Sequence, residues 1–260
     1  MNPTSTAAAA RSAYTTGRPR GRTLASDVFQ QLRGDILECR LVPGSRLRFK
    51  DLRVRYGSGL SPLREALMRL VADDLVVLED HKGFRVAPVS QEELVDLAMT
   101  WFELEALGIR QSIAKGDDRW AANIQLRFRE LSKHRMRTGH GTLDPDWEPR
   151  NLAFHESLYA ACGSPSLMRF CRALSERFSR YRRLWARGSH KRNIAKEHED
   201  LCRAVLDRDA VRATAALRVH RTETIRDLLA SWNGMDDPGE SGIFENSAKV
   251  SKIRVKSKHR

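Results

Sequence analysis

Nothing in this chain approaches the roughly 18 consecutive apolar residues that a membrane span requires, so no role across a bilayer is expected. Cysteine is scarce: Cys39, Cys162, Cys171 and Cys202 lie far apart, and no CxxC pair occurs. That spacing argues against a disulfide scaffold or a zinc ribbon and suits a reducing, cytoplasmic setting. Acid is missing from the first 22 residues, which carry Arg11, Arg18, Arg20 and Arg22 among Ala, Thr, Ser, Gly and Pro. Because the segment has no apolar h-region, it is not a secretory signal. An organellar transit peptide has a similar composition, but residues 1–22 are read as a disordered basic arm. Residues 233–260 have no periodic apolar face, hold six bases against four acids, and are read as a flexible basic tail.

What is plentiful is positive charge: 46 Lys+Arg stand against 33 Asp+Glu, a formal +13 over 260 residues. A hydrophobic fraction of 41% is enough for a packed core and excludes wholesale disorder. The surplus charge calls for an anionic partner, either nucleic acid or a membrane surface. Its distribution favours the former. Residues 23–88 hold 11 bases and 9 acids, yet six of the bases (Arg46, Arg48, Lys50, Arg53, Arg55, Arg64) fall within 46–64 against the single acid Asp51. Such a concentration suits the neutralisation of phosphates.

The same segment has a recognisable order. Val28, Phe29, Leu32 and Ile36 have helical spacing, predicting a helix over 23–38. Pro43-Gly44 breaks it. A short helix over 49–56 and a Gly-rich connection at 57–60 follow. Ser61-Pro62 reads as the cap and first residue of the next helix, whose buried stripe is Leu63, Leu67, Leu70 and Val71. Residues 75–78 and 84–86 then read as a β-hairpin around a polar turn. Helix, short helix, turn, helix and hairpin is the order of a winged helix-turn-helix. In that arrangement Arg64 is the long donor at the start of the groove-facing helix, and Lys82 and Arg85 sit at the hairpin, within reach of phosphates or a minor groove. Any one of these charges could equally be a solvated surface residue, except that Arg64, at the start of the groove-facing helix, is better placed for a contact.

From Ser90 onward the pattern is helical. Helices are predicted over 91–114, 117–137, 146–161, 165–187, 192–206 and 210–232, with separators at 115–116, 138–141, 162–165, 188–189 and 207–209, forming a bundle. The fold class is therefore mostly α: a winged helix-turn-helix over 23–88, then an all-helical bundle over 89–232. Asn151 and His155 are four apart on one helical face. His198 lies on the stripe Ile194, His198, Leu201, Val205, and His220 follows Ala213 and Leu217. A lone inward histidine is more often a hydrogen-bonded core residue, but three on different helices could converge on a metal. A metal-dependent enzyme is the alternative reading. However, Glu156 and Glu199 each follow a histidine directly and point off its face, so no catalytic residue is assigned and no enzymatic activity is expected. Seven arginines between 165 and 187 stand against Glu176. Most read as a solvated basic face, while some could line a cavity for a carboxylate.

These residues resemble a known family. Gly57-Ser58-Gly59-Leu60-Ser61-Pro62-Leu63-Arg64-Glu65-Ala66-Leu67 is similar to the recognition-helix signature of GntR-type bacterial transcription regulators. Leu41-Val42-Pro43-Gly44-Ser45-Arg46-Leu47 resembles their Pro-Gly segment, and Lys82-Gly83-Phe84-Arg85-Val86 resembles their wing tip. The resemblance implies a homodimer on a palindromic operator in double-stranded DNA, contacted through Lys50, Ser58, Ser61, Arg64 and the wing at Lys82 and Gly83. It departs from the usual pattern at Leu60, where a basic residue is commoner. Asn151-Leu152-Ala153-Phe154-His155, Glu197-His198 and His220 are similar to the metal-site pattern of the FCD effector domain of one GntR subfamily. That resemblance implies a divalent metal, zinc or nickel, and a small-molecule effector such as a carboxylate that completes the coordination. Asn151 stands where that pattern has Asp, and Trp101 lies near the place of a frequent Arg.

Overall fold

The computed structural model describes residues 23–138, 142–185 and 192–233. The basic arm, nearly all of the tail, most of the 138–141 separator and the 188–189 separator lie outside these residues.

The first segment folds as helix α1 (Leu24–Leu37), strand β1 (Arg46–Leu47), helices α2 (Phe49–Tyr56) and α3 (Leu60–Ala72), and strands β2 (Val76–Glu79) and β3 (Gly83–Val86). Thr23 caps α1 by accepting from the Ser26 amide at 3.1 Å. The antiparallel sheet has the order β1-β3-β2, with Leu47 opposite Phe84 and Val76 opposite Val86. The hairpin matches its sequence pattern, whereas β1, only two residues long, is too short to produce an alternation. One correction concerns the start of α3. Its N-cap is Gly59, without a side-chain cap bond, so Ser61 and Pro62 are the second and third helical residues. Pro62 is still tolerated, because the first-turn N–H groups have no intrahelical partner. Leu63, Ala66, Leu67 and Leu70 of α3 are fully buried against Val28, Leu32 and Ile36 of α1.

The second segment is helical throughout: α4 (Gln91–Lys115), α5 (Asp118–Ser132), α6 (Trp147–Leu158), α7 (Pro165–Trp185), α8 (Ile194–Leu206) and α9 (Ala210–Asn233). Ser90, Asp117 and Asn193 cap α4, α5 and α8. Helix α5 ends at Ser132, five residues before the expected Arg137. The chain then turns back so that Arg137 bridges Leu143. The bundle has its own apolar core, which runs from Leu94 to Leu228 and is separate from the core of the first segment.

Helix α7 touches both segments. Glu176 pairs with Arg33 of α1. Arg177 reaches Asp74 at 3.0 Å and Glu93 at 2.8 Å. Arg180 donates to the Ala87 carbonyl at 2.5 Å, and the Tyr181 hydroxyl accepts from the Ser90 amide at 3.2 Å. The arginines of α7 are thus not one solvated face: Arg180 and Arg182 are only 1% and 3% exposed.

Candidate metal centre and DNA-facing surface

On the first segment, Lys50, Ser61, Arg64, Lys82 and Gly83 are exposed. Among the described residues Arg46, Arg48, Lys50, Arg53 and Arg64 form no ion pair, so five of the six clustered bases are free to meet an anion. The sixth is engaged within the fold. Arg55 joins Arg40 and Tyr56 around Asp35, with Nη2 at 2.7 Å from the Asp35 carboxylate and the Tyr56 hydroxyl at 2.6 Å. Two of the positions named above are buried or already paired within the fold. Ser58 is buried, and its hydroxyl has no partner. Arg85 lies on β3 with Nε donating to Glu79 at 3.0 Å and Nη1 to the Gly44 carbonyl at 2.6 Å. Its guanidinium braces the wing, which leaves Lys82 as the exposed cation at the turn. Gly83 has φ +79°, a left-handed conformation that glycine adopts without steric cost.

In the bundle, His155 on α6, His198 on α8 and His220 on α9 do converge. One ligand atom from each lies within 4.8 Å of the others. The ring centroids of His198 and His220 are 4.7 Å apart, and those of His155 and His220 5.2 Å. Asn151 enters from the turn of α6 preceding His155 and is 2% exposed. Its Oδ1, together with Nε2 of His155 and Nε2 of His198, is buried without a hydrogen-bond partner. Buried polar atoms are nearly always satisfied, and three such atoms on residues beside the histidine cluster are donors that a cation would satisfy. Phe154 packs edge-on against His155 and His198, excluding water from that side.

Two carboxylates stand behind the histidines. Glu105 on α4 is fully buried and accepts from His155 Nδ1 at 2.7 Å. Its other oxygen accepts from Arg221, whose guanidinium lies 3.6 Å from the centre of the Trp101 ring. Burial alone would raise the Glu105 pKa, but Arg221 and His155 outweigh it and hold the carboxyl below its ordinary range. Glu197 accepts from His220 Nδ1 at 2.8 Å and from Arg192. Each carboxylate therefore keeps the proton on Nδ1 and turns the Nε2 lone pair inward, as metal-bound histidines require. Burial, followed by the positive groups around them, pushes the pKa values of His198 and His220 well below the ordinary value. Burial also lowers that of His155, despite Glu105. Each shift favours the neutral imidazole, the ligating form.

Beside His220 and Asn151 opens a pocket with about 410 Å³ of empty space, including its solvent mouth, lined by Trp147, Arg182, Arg192 and Thr224 among others. Arg182 makes a buried bidentate pair with Glu148, at 2.9 and 2.6 Å. Glu156 and Glu199 lie outside the centre and pair with surface bases. Glu105, Arg192 and Arg221 have no place in the sequence pattern, and Arg182 is there only as one of seven arginines of which some could line a cavity. Glu105 alone left a local signal, an acid on the otherwise apolar stripe of Trp101, Phe102 and Ile109.

Residues 24–86 match the family described as bacterial regulatory proteins, gntR family, and residues 96–223 match the FCD domain. The HTH-type transcriptional regulator BphR of Paraburkholderia xenovorans is 41% identical over 207 residues, 78% of this chain and 84% of that protein. The HTH-type transcriptional repressor GlaR of Escherichia coli is 35% identical over 199 residues, 75% of this chain and 90% of that one. In three dimensions the chain resembles E. coli McbR/YncC, with a TM-score of 0.66 over 82% of this chain and all of that chain; at 21% identity the likeness speaks to fold. These relatives are transcription regulators, which sets the enzyme alternative aside. No helix among the described residues is long and apolar enough to cross a membrane. A basic winged helix-turn-helix followed by a helical bundle, matched along most of its length, makes this chain a member of the GntR family of bacterial transcription regulators that carries an FCD domain.

Proposed function

We propose that the protein is a homodimeric repressor whose DNA-binding segment, 23–88, releases a palindromic operator when a small carboxylate effector binds at a metal in the bundle, 89–232. The observation that carries this reading is the trio of buried, partnerless ligand atoms on Asn151, His155 and His198 beside His220. These four residues would hold a divalent ion, zinc or nickel. When bound, that ion supplies a Lewis-acidic anchor for one carboxylate oxygen. Asn151 offers a neutral amide oxygen, so the protein returns no charge to the ion through this ligand, and an anion in the remaining position is favoured. Arg182 and Arg192 line the pocket but are already paired with Glu148 and Glu197, so they bring positive charge beside an incoming carboxylate and would have to exchange partners to clasp it. Repression follows the relative GlaR, which is described as a repressor.

On the DNA side, Arg64, Ser61 and Lys50 face outward from the helix-turn-helix, with Lys82 at the wing. Arg85 acts by bracing the wing through Glu79 and Gly44. Coupling runs through α7, which carries Arg182 at the pocket and Glu176, Arg177 and Arg180 at the first segment. Native mass spectrometry with elemental analysis of the purified protein tests the reading. A dimer mass with about one zinc or nickel per protomer is expected, and a metal-free protein that still represses would refute it.

A further inference from the structure

The outer face of α3 carries apolar side chains that the fold does not use. Leu60, the first helical residue, is 53% exposed, while Leu63, Ala66, Leu67 and Leu70 on the opposite face are fully buried. The residues before Leu60 are Gly57 and Gly59, with the side chain of Ser58 turned inward. No neighbour therefore shields the leucine on that side. One turn further along the same face stands Arg64, exposed and without an ion pair among the described residues. Lys50 and Arg53 of α2 are exposed nearby in the sequence. In a helix-turn-helix, the N-terminal residues of the second helix reach base edges in the major groove. Leucine cannot hydrogen-bond there, and against a G·C pair it would cover acceptors without satisfying them. The one apolar group on a major-groove edge is the thymine methyl.

We propose that Leu60 is a specificity-determining residue that packs on a thymine methyl in each half-site, next to the base pair read by Arg64. The assignment rests on the DNA-facing placement of α3 given above. Four residues advance the helix by about 6 Å and base pairs stack every 3.4 Å or so, which puts the two contacts roughly one to two base pairs apart.

The experiment uses the full-length protein and the duplex it selects from a randomised library. Each thymine of one half-site is replaced in turn by deoxyuridine, which removes only the methyl. The wild type is expected to lose about fourfold in affinity at one thymine, the worth of one buried methyl group. L60A should bind the parent more weakly and be indifferent to that replacement, and L60R should select guanine at or beside that position. Equal affinity of the wild type for every uridine duplex, or undiminished uridine sensitivity in L60A, overturns the assignment while leaving the DNA-binding reading intact. Failure to select any sequence overturns both.

Discussion

Glu105→Gln separates two tasks that one buried carboxylate performs. Glutamine matches glutamate in volume, so packing is kept, but one of the two oxygens becomes an NH2 donor. If that donor faces His155, the imidazole must accept at Nδ1 and carry its proton on Nε2, and the inward lone pair is lost. If it faces Arg221, donor meets donor, and a guanidinium that is 1% exposed keeps no carboxylate partner. Removing one member of a buried pair costs about 3–5 kcal/mol. Part of the Arg221 charge remains balanced by the Trp101 ring 3.6 Å away, which favours the lower end, about 3 kcal/mol. For a body of this size that corresponds to a fall in Tm of roughly 6–12 °C. Loss of the partner that orients His155 should lower metal affinity by roughly 10–100-fold. Thermal unfolding by circular dichroism measures the first effect, and zinc competition against a chromophoric chelator the second. Adding Arg221→Met should recover most of the stability, because no buried guanidinium is left without its carboxylate, and it frees the new amide oxygen to accept from His155 Nδ1, so metal affinity should recover only as far as a neutral amide orients the ring. A Tm within about 2 °C of the wild type together with unchanged metal affinity would refute the role given to Glu105.

Arg64→Ala should cost about 1–3 kcal/mol in operator binding at fixed salt, read by gel shift, and an unchanged affinity would remove Arg64 from the interface. His198→Ala should lose metal or effector response while operator binding remains measurable; equal metal content in mutant and wild type would make the histidine a structural residue only. Leu67→Ala, fully buried in the first core, should destabilise by about 2–5 kcal/mol in denaturant unfolding, and a smaller loss would mean that α1 and α3 re-close over the gap. Asp35 supplies a pH test. Burial would raise its pKa from 3.8, but Tyr56, Arg40 and Arg55 outweigh that and lower it. Its contribution to stability is therefore fully present above the unfolded value near 4 and is lost as pH falls through the lower folded value. Asp35→Asn should flatten that acid limb, and an unaltered limb in an acid titration of unfolding would show that the Arg40–Arg55–Tyr56 cluster adds no pH-linked stability.

How much of this was legible in the sequence follows from the range of each signal. Helices α1, α4, α7 and α9 were readable because their apolar residues repeat on one face, and the histidines because each sits on such a stripe. Asn151 and His155 share a turn of α6, which adjacency in the chain displays directly. Their carboxylate partners could not be read, since Glu105 and His155 are on different helices, 50 residues apart, and periodicity reports a residue's face but not what it faces. The pairing of Arg85 was hidden for a related reason. Its outward position on β3 was evident, but the diagonal pairing across the hairpin to Glu79, and the bond to Gly44 from another loop, exist only once the sheet has formed. The early end of α5 was missed because Met136 continues the apolar period after the helix has stopped.

On the proposed reading, the position of Arg182 on α7 fixes how far an effector's influence has to travel. From Arg182, bound to Glu148 at the pocket, to Arg177, bound to Asp74 beyond the end of α3, is five residues, about 7.5 Å of helix rise. Less than two helical turns of one stiff rod separate the pocket from the DNA-binding segment. No relay of loosely packed side chains is needed. The length scale that the proposed regulation requires is that of a single peptide hydrogen-bond ladder.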